Sequence, residues 1–311
     1  MTRYRDRYED IYQQLTRAEL QRGSDGLAEL VAGPELFERG TDRWLGFYTL
    51  DGLDIALEKY GFYRDLAALG FDDVRIEVRT DDPDKHLLRL WSKRPEVTEP
   101  LVELVVRRDF LRPASELSKR VKNSHLPVLT IDWLLLQNPC ARFQPERPPL
   151  PGQRYPGLGV GAQVLEMLRN VCRRLDLAGL ANVPSYFHNS LFYSEEFRHF
   201  DPRWQGAFLA LCRDLKPGGR FSIAAASWAT HWKLLRDRNA EDSEFSWFQQ
   251  LMLYPLSESL IGYFDDSRYR REVQKGLRSH KFGVDEDRLK NKLEETGIEP
   301  FDPDKLSAWL E

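Results

Sequence analysis

The 311-residue chain balances 45 Lys and Arg against 49 Asp and Glu, for a formal net charge of −4. So small a charge on so long a chain argues against a dedicated nucleic-acid binder. With 41% hydrophobic and 12% aromatic residues, the sequence has the material for a packed core, which excludes wholesale disorder. No apolar run approaches the roughly 20 residues that cross a bilayer, and the charged start MTRYRDRYED has no signal-peptide core. Cys140, Cys172 and Cys212 are widely spaced, without a CxxC pair. This pattern suits buried thiols in a reducing compartment. The expectation is a soluble, cytoplasmic protein with no membrane partner.

Residues 4–31 are charged and helical in period, with Tyr8, Ile11, Tyr12, Leu15 and Leu20 on or near one stripe. A second helix is predicted from Asp51 to Leu69, with Gly70 closing it. Val74–Arg79 alternates strictly, His86–Trp91 more loosely, and Leu101–Arg107 gives a third strand. Val128–Gln137 is apolar on both faces apart from Asp132 and reads as a central strand covered on both sides. Residues 138–153 hold Pro139, Pro145, Pro148, Pro149 and Pro151, so they must form an irregular loop.

Beyond that loop lies Arg154-Tyr155-Pro156-Gly157-Leu158-Gly159-Val160-Gly161, and a helix follows at once. Val160, Val164, Leu165, Leu168, Val171, Cys172 and Leu175 recur on one side of it. Gln163, Glu166, Arg169, Arg173 and Arg174 take the other. Clustered glycines let backbone N–H groups converge, and the positive end of the helix dipole adds to them, so the segment is a seat for a phosphate or pyrophosphate. Leu177–Pro184 then reads as one strand, and Ser185 as the cap of a helix over Tyr186–Phe197. Helical patterns follow at Gln205–Leu215, Phe221–Leu235, Phe245–Leu253 and Tyr269–Leu277, and residues 285–296 form a charged helix.

Arg154-x-x-Gly157-x-Gly159 resembles the pyrophosphate loop Gln/Arg-x-x-Gly-x-Gly/Ala of the GNAT superfamily of acetyl-CoA-dependent N-acetyltransferases. Asn189-Ser-Leu-Phe192-Tyr193-Ser-Glu-Glu-Phe197 is similar to that family's downstream helix, and Tyr193 follows Arg154 by 39 residues, close to the family's usual separation. The likeness is close over residues 153–200 and looser over 45–200. It implies an α/β fold with a mixed, mostly antiparallel central sheet flanked by helices, using acetyl-CoA as co-substrate. Gly157, Leu158, Gly159, Val160 and Gly161 would hold the pyrophosphate through their backbone amides, and Arg154 would add its guanidinium. Gly161 and Ala162 would give the pantetheine arm close approach. Tyr193 would protonate the departing thiolate. Pro156 departs from a fully donating loop, because it has no N–H. The proline-rich insertion is longer than the family usually carries and reads as a substrate-facing loop.

Transfer to an amine also needs a base. Asp132, an acid within a core strand, and His188, five residues before Tyr193, are the two candidates. The bland readings stay beside them: an acid paired with an arginine, and a structural histidine. The histidines show no HExxH spacing, so no metal is indicated. Two rival readings come from other classes. Leu215-Lys-Pro-Gly-Gly-Arg-Phe221 is similar to a late motif of S-adenosylmethionine-dependent methyltransferases, although their glycine loop follows directly on a buried strand. A non-catalytic binding module is the other, with the C-terminal aromatics as its partner surface. The reading is thus an acyl-CoA-binding catalytic domain at 1–200. A helical C-terminal extension at 201–311 would cover the active site or form a homodimer. The acceptor is an amine-bearing small molecule or protein.

Overall fold

The computed structural model describes residues 2–23, 43–111, 125–216, 218 and 220–296. The chain divides into two compact units. One comprises residues 1–111, 126–140 and 157–180, and the other residues 112–125, 141–156 and 181–311.

The first unit opens with α1 (Thr2–Gln14) and α2 (Arg17–Leu20). The helical stripe is interrupted here because Thr16 builds a capping box. Its hydroxyl accepts from Glu19 N at 3.2 Å, and the Glu19 carboxylate accepts from Thr16 N at 2.9 Å. Residues 24–31 of the expected helix lie outside the described residues. The helix expected over 51–69 is likewise two, α3 (Leu50–Lys59) and α4 (Phe62–Ala67), split at Gly61, whose φ of 76° no helix accommodates. Gly70 follows α4, and its N–H reaches Ala67 O at 2.8 Å.

Strands β1 (Val74–Arg79), β2 (Lys85–Ser92), β3 (Val102–Leu111) and β4 (Leu126–Leu136) pair antiparallel in chain order, and β5 (Gly179–Asn182) lies beside β4. The alternation in β2 and β3 puts Leu88, Leu90, Leu104 and Val106 in the core. The fourth strand departs from its expected double covering. Val128–Ile131 are buried, but Asp132 and Trp133 are exposed. Val106 opposes Ile131 and Val105 opposes Trp133, so Asp132 is an extra residue without a partner, a β-bulge that turns this stretch outward.

Helix α5 (Gly161–Arg174) packs against β4 and α1. Its polar side is not the solvated face that periodicity predicts, because Gln163, Glu166, Arg169 and Asn170 are buried. They are accommodated by partners. Gln163 donates to Asp65 at 2.5 Å, Glu166 pairs with Arg169, and Asn170 donates to Tyr8 O and to the Tyr60 hydroxyl, each at 3.3 Å. Arg169→Met takes the neighbouring cation from a buried carboxylate and is expected to destabilise the chain by about 3 kcal/mol. The double variant Glu166→Leu with Arg169→Met regains most of that loss, which denaturant titration of both proteins checks.

In the second unit the elements are α6 (Phe187–Tyr193), β6 (Arg198–His199), α7 (Pro202–Leu215), α8 (Ile223–His231), β7 (Leu235–Asp237) and β8 (Ser243–Phe245). They continue with β9 (Met252–Pro255), α9 (Glu258–Asp265), α10 (Ser267–Ser279), β10 (Phe282–Val284) and α11 (Glu286–Glu295). β6 pairs with β9, and β7 lies between β10 and β8. Three expectations are corrected. Ser185 is not a cap: Tyr186 precedes α6 without a side-chain capping bond, and the helix ends at Tyr193. The 221–235 pattern gives α8 and then a strand. The stretch 245–253 is extended rather than helical, because Phe245 and Trp247, two residues apart, both pack on Trp204. Of the C-terminal aromatics, Tyr263 and Phe264 are core while Phe248 is exposed.

Helices α7 and α10 cross with backbones nearly touching. A Cβ on Gly206 would stand 2.4 Å from Val273 O and 2.6 Å from Leu277 N, and one on Gly276 would stand 2.5 Å from Arg203 O. Gly206→Ala is therefore expected to cost about 1–3 kcal/mol by forcing the helices apart, read as a lowered melting temperature. The basic residues Arg270, Arg271, Lys275 and Arg278 of α10 face solvent. Among the described residues no helix is long and apolar enough to cross a membrane.

Candidate functional site: a glycine loop at an uncapped helix

The glycine loop is fastened to the end of β4. Gly157 forms a bridge with Gln137, and Leu158 N–H points to Leu136 O at 3.4 Å. Leu158 and Val160 bury their side chains and so fix the loop from beneath. Gly159 has φ 75°, and among the described residues no atom beyond its chain neighbours lies within 4 Å of where a Cβ would stand. The backbone there is held left-handed and faces open space.

Helix α5 starts directly afterwards. Its N-cap Val160 supplies no side-chain bond, no acid sits in the first turn, and Arg173 and Arg174 occupy the last. Val164 N–H is bonded to Val160 O at 3.1 Å, so the N–H groups of Gly161, Ala162 and Gln163 precede the intrahelical ladder. The structure thus brings Gly157, Leu158, Gly159, Val160, Gly161 and Ala162 into one turn. The Leu158 amide is directed at the strand rather than outward. Arg154 is exposed, with its guanidinium 5.2 Å from the Tyr155 ring. A helix N-terminus without its own capping acid offers partial positive charge to an anion.

Tyr193 ends α6 and is half-buried, its ring 5.3 Å from that of Phe197. Burial pushes its phenol up to about 12, against a smaller opposing pull from the Asn182 amide. The group is therefore a neutral O–H donor at any physiological pH. Asn182 was not visible as a site residue in the sequence; it is buried, and its position beside Tyr193 depends on how β5 meets α6.

His188 is buried and stacked on Tyr186, with ring centroids 5.4 Å apart and planes 10° from parallel. Among the described residues its Nδ1 has no hydrogen-bond partner. Desolvation, and secondarily the charge of His231, pushes its pKa down to about 4. Neutral in the fold and charged when unfolded below pH ~6.5, it contributes stability that is full above ~6.5. That stability is lost as pH falls toward about 4. The loss is on the order of 3 kcal/mol, and His199, pushed down to about 3 by burial, adds to it in the same sense. Denaturation midpoints at pH 7, 5.5 and 4.5 are expected to fall less steeply for His188→Phe than for the natural chain.

Asp132 stands on the bulge, on the exposed side of β4. Arg107 donates to it through Nε and Nη2, each at 3.4 Å, and Lys85 lies 3.7 Å away. Arg107 also pairs with Asp109. The proline-rich loop is held within its own unit: Trp228 Nε1 donates to Pro149 O at 2.9 Å, and the Tyr186 ring covers Gly152. Trp228 and Tyr186 are anchors that sequence spacing did not mark. Cys172 and Cys212 are pushed up to about 12 by burial, whereas Cys140 is exposed rather than buried. Among the described residues no group of three or more His, Cys, Asp or Glu is placed to hold a metal ion.

No family model matches the chain, and no curated protein matches it. Among solved structures it is similar to AtaTR bound with AcCoA, at 19% identity and a TM-score of 0.28, over 41% of this chain and 87% of that one. It is also similar to AtaT complexed with acetyl-methionyl-tRNAfMet, at 18% identity and a TM-score of 0.27, over 40% of this chain and 85% of that one.

Proposed function

We propose that this chain is an acyl-CoA-dependent N-acyltransferase of GNAT type that transfers acetyl from acetyl-CoA to an amine. The observation that carries the reading is Gly159: an open, left-handed glycine, pinned to the end of β4 and followed within two residues by an uncapped 14-residue helix. The amides from Gly159 to Ala162 receive the pyrophosphate, Arg154 adds charge to it, and Tyr193 serves as the acid for the departing thiolate. Asp132 and His188 are the alternative bases. Asp132 already holds two cations, and His188 is neutral but weakly basic. Residues 1–200 are the catalytic domain and 201–311 its extension, either as a cover or as a homodimer contact.

The methyltransferase reading finds less support. Residues 138–153 separate β4 from the glycine loop, so no strand feeds it directly. The Lys216 motif closes α7 as a turn, with Lys216 left-handed at the C-cap and Gly218 N–H on Phe221 O at 2.7 Å. The test is a thermal-shift comparison of acetyl-CoA, S-adenosylmethionine and buffer. At 100 times its dissociation constant a ligand adds about 2.7 kcal/mol, a rise of several degrees for a chain of this size. A response to acetyl-CoA is expected. A response to S-adenosylmethionine alone overturns the proposal, and no response to any acyl-CoA leaves a non-catalytic module. The acceptor is then sought among small amines, peptide amines and aminoacyl-tRNA.

A further inference from the structure

A cavity of about 90 Å³ lies inside the first unit, between the helices and the face of the sheet. The cavity is open on one side, so a guest can enter it from outside. Leu90 and Leu104 line it from β2 and β3, and Leu57 and Leu168 from α3 and α5. Such walls favour an apolar guest, because burying its surface against them removes apolar area from water.

The remaining lining is specific. Trp44 is buried, and among the described residues its indole N–H has no acceptor. A buried donor left unpaired is costly, and an oxygen on a guest relieves that cost. Arg174 also lines the cavity. Its Nη2 donates to Tyr12 O at 2.8 Å, its guanidinium lies 4.5 Å from the Tyr12 ring, and no carboxylate among the described residues pairs with it. The phenols beside it do not supply the missing charge. Tyr48 and Tyr60 are both pushed up by burial, Tyr60 to about 12, so each stays neutral. Apolar walls, an unsatisfied N–H donor and a cation without a carboxylate complement one molecule type: an alkyl chain ending in a carboxylate.

We infer that this cavity is a binding site for a small alkyl carboxylate, separate from the glycine loop, with the tail against Leu104 and Leu168 and the head toward Arg174 and Trp44. The site does not depend on the acyltransferase reading. Hexanoate, 1-hexanol and hexylammonium are the probes, followed by thermal shift and calorimetry at pH 7. Hexanoate is expected to raise the melting temperature by a few degrees at saturation, hexanol less, and hexylammonium not at all. Ala56, which also lines the cavity, gives the filling variant. Ala56→Phe is expected to abolish the hexanoate response while leaving that to acetyl-CoA. Arg174→Gln is expected to weaken hexanoate about tenfold and leave hexanol within twofold, and this readout stands if Ala56→Phe does not fold. No shift with hexanoate overturns the inference, as does an equal hexanoate response in Ala56→Phe. Equal binding of hexanoate and hexylammonium removes the carboxylate from it.

Discussion

Gly159→Asp is expected to weaken acetyl-CoA binding by at least about 10³-fold, measured as a dissociation constant by calorimetry. Two costs act together. The position has φ 75°, where any side chain is strained, but Asn and Asp tolerate that region better than other residues. Strain therefore supplies about 1 kcal/mol or less. The larger cost is electrostatic, because a carboxylate would stand beside the bound pyrophosphate at the positive end of α5 and compete for the same amides. Space is not limiting for folding, since among the described residues nothing beyond the chain neighbours lies within 4 Å of the added Cβ. The variant is thus expected to keep the melting temperature of the unliganded protein within a few degrees. Gly159→Asn separates the two costs. It has the same shape and strain without the charge, and is expected to lose only about tenfold. Equal losses for Asp and Asn would make the effect steric, and unchanged affinity in both would place the coenzyme elsewhere.

The glycine loop was legible because its signal is local. Glycine spacing and the helix period after it are both readable within a few residues. Strand β1 falls on the expected Val74–Arg79, and α5 within a residue or so of its predicted ends. What sequence hid depends on partners. The Asp132 bulge is a property of two strands in register, and nothing within β4 alone announces which residue is extra. The polar side of α5 reads as solvated because periodicity equates polarity with exposure. Asp65, Tyr8 and Tyr60, which make its burial tolerable, lie about 100 residues or more earlier in the chain. The 245–253 stretch misled for a related reason: aromatics two apart serve an extended segment as readily as a helix, and Trp204 decides between them.

Tyr193→Phe is expected to lower kcat by about 10²- to 10⁴-fold, the usual worth of a positioned general acid, with KM for acetyl-CoA nearly unchanged. A phenol pushed up to about 12 is a poor donor to a thiolate in water, whose conjugate thiol has a pKa near 8.5. The mismatch closes if the thiolate leaves into an equally dry site. Burial acts on a thiol in that direction, as it does on Cys172 and Cys212, which it pushes up to about 12. A dry site therefore narrows the gap between phenol and thiol and makes the proton transfer less uphill. Because Tyr193 is protonated across the working range, the loss in Tyr193→Phe is expected to be uniform from about pH 6 to 9, rather than growing toward alkaline pH. A purely structural tyrosine would instead show a lowered melting temperature and a raised KM with kcat preserved. Acetyl-CoA binding measured by thermal shift must survive the substitution, which separates a failed acid from a failed coenzyme site. Turnover at the natural rate in Tyr193→Phe would remove this residue from the chemistry and leave the leaving group to be protonated by water.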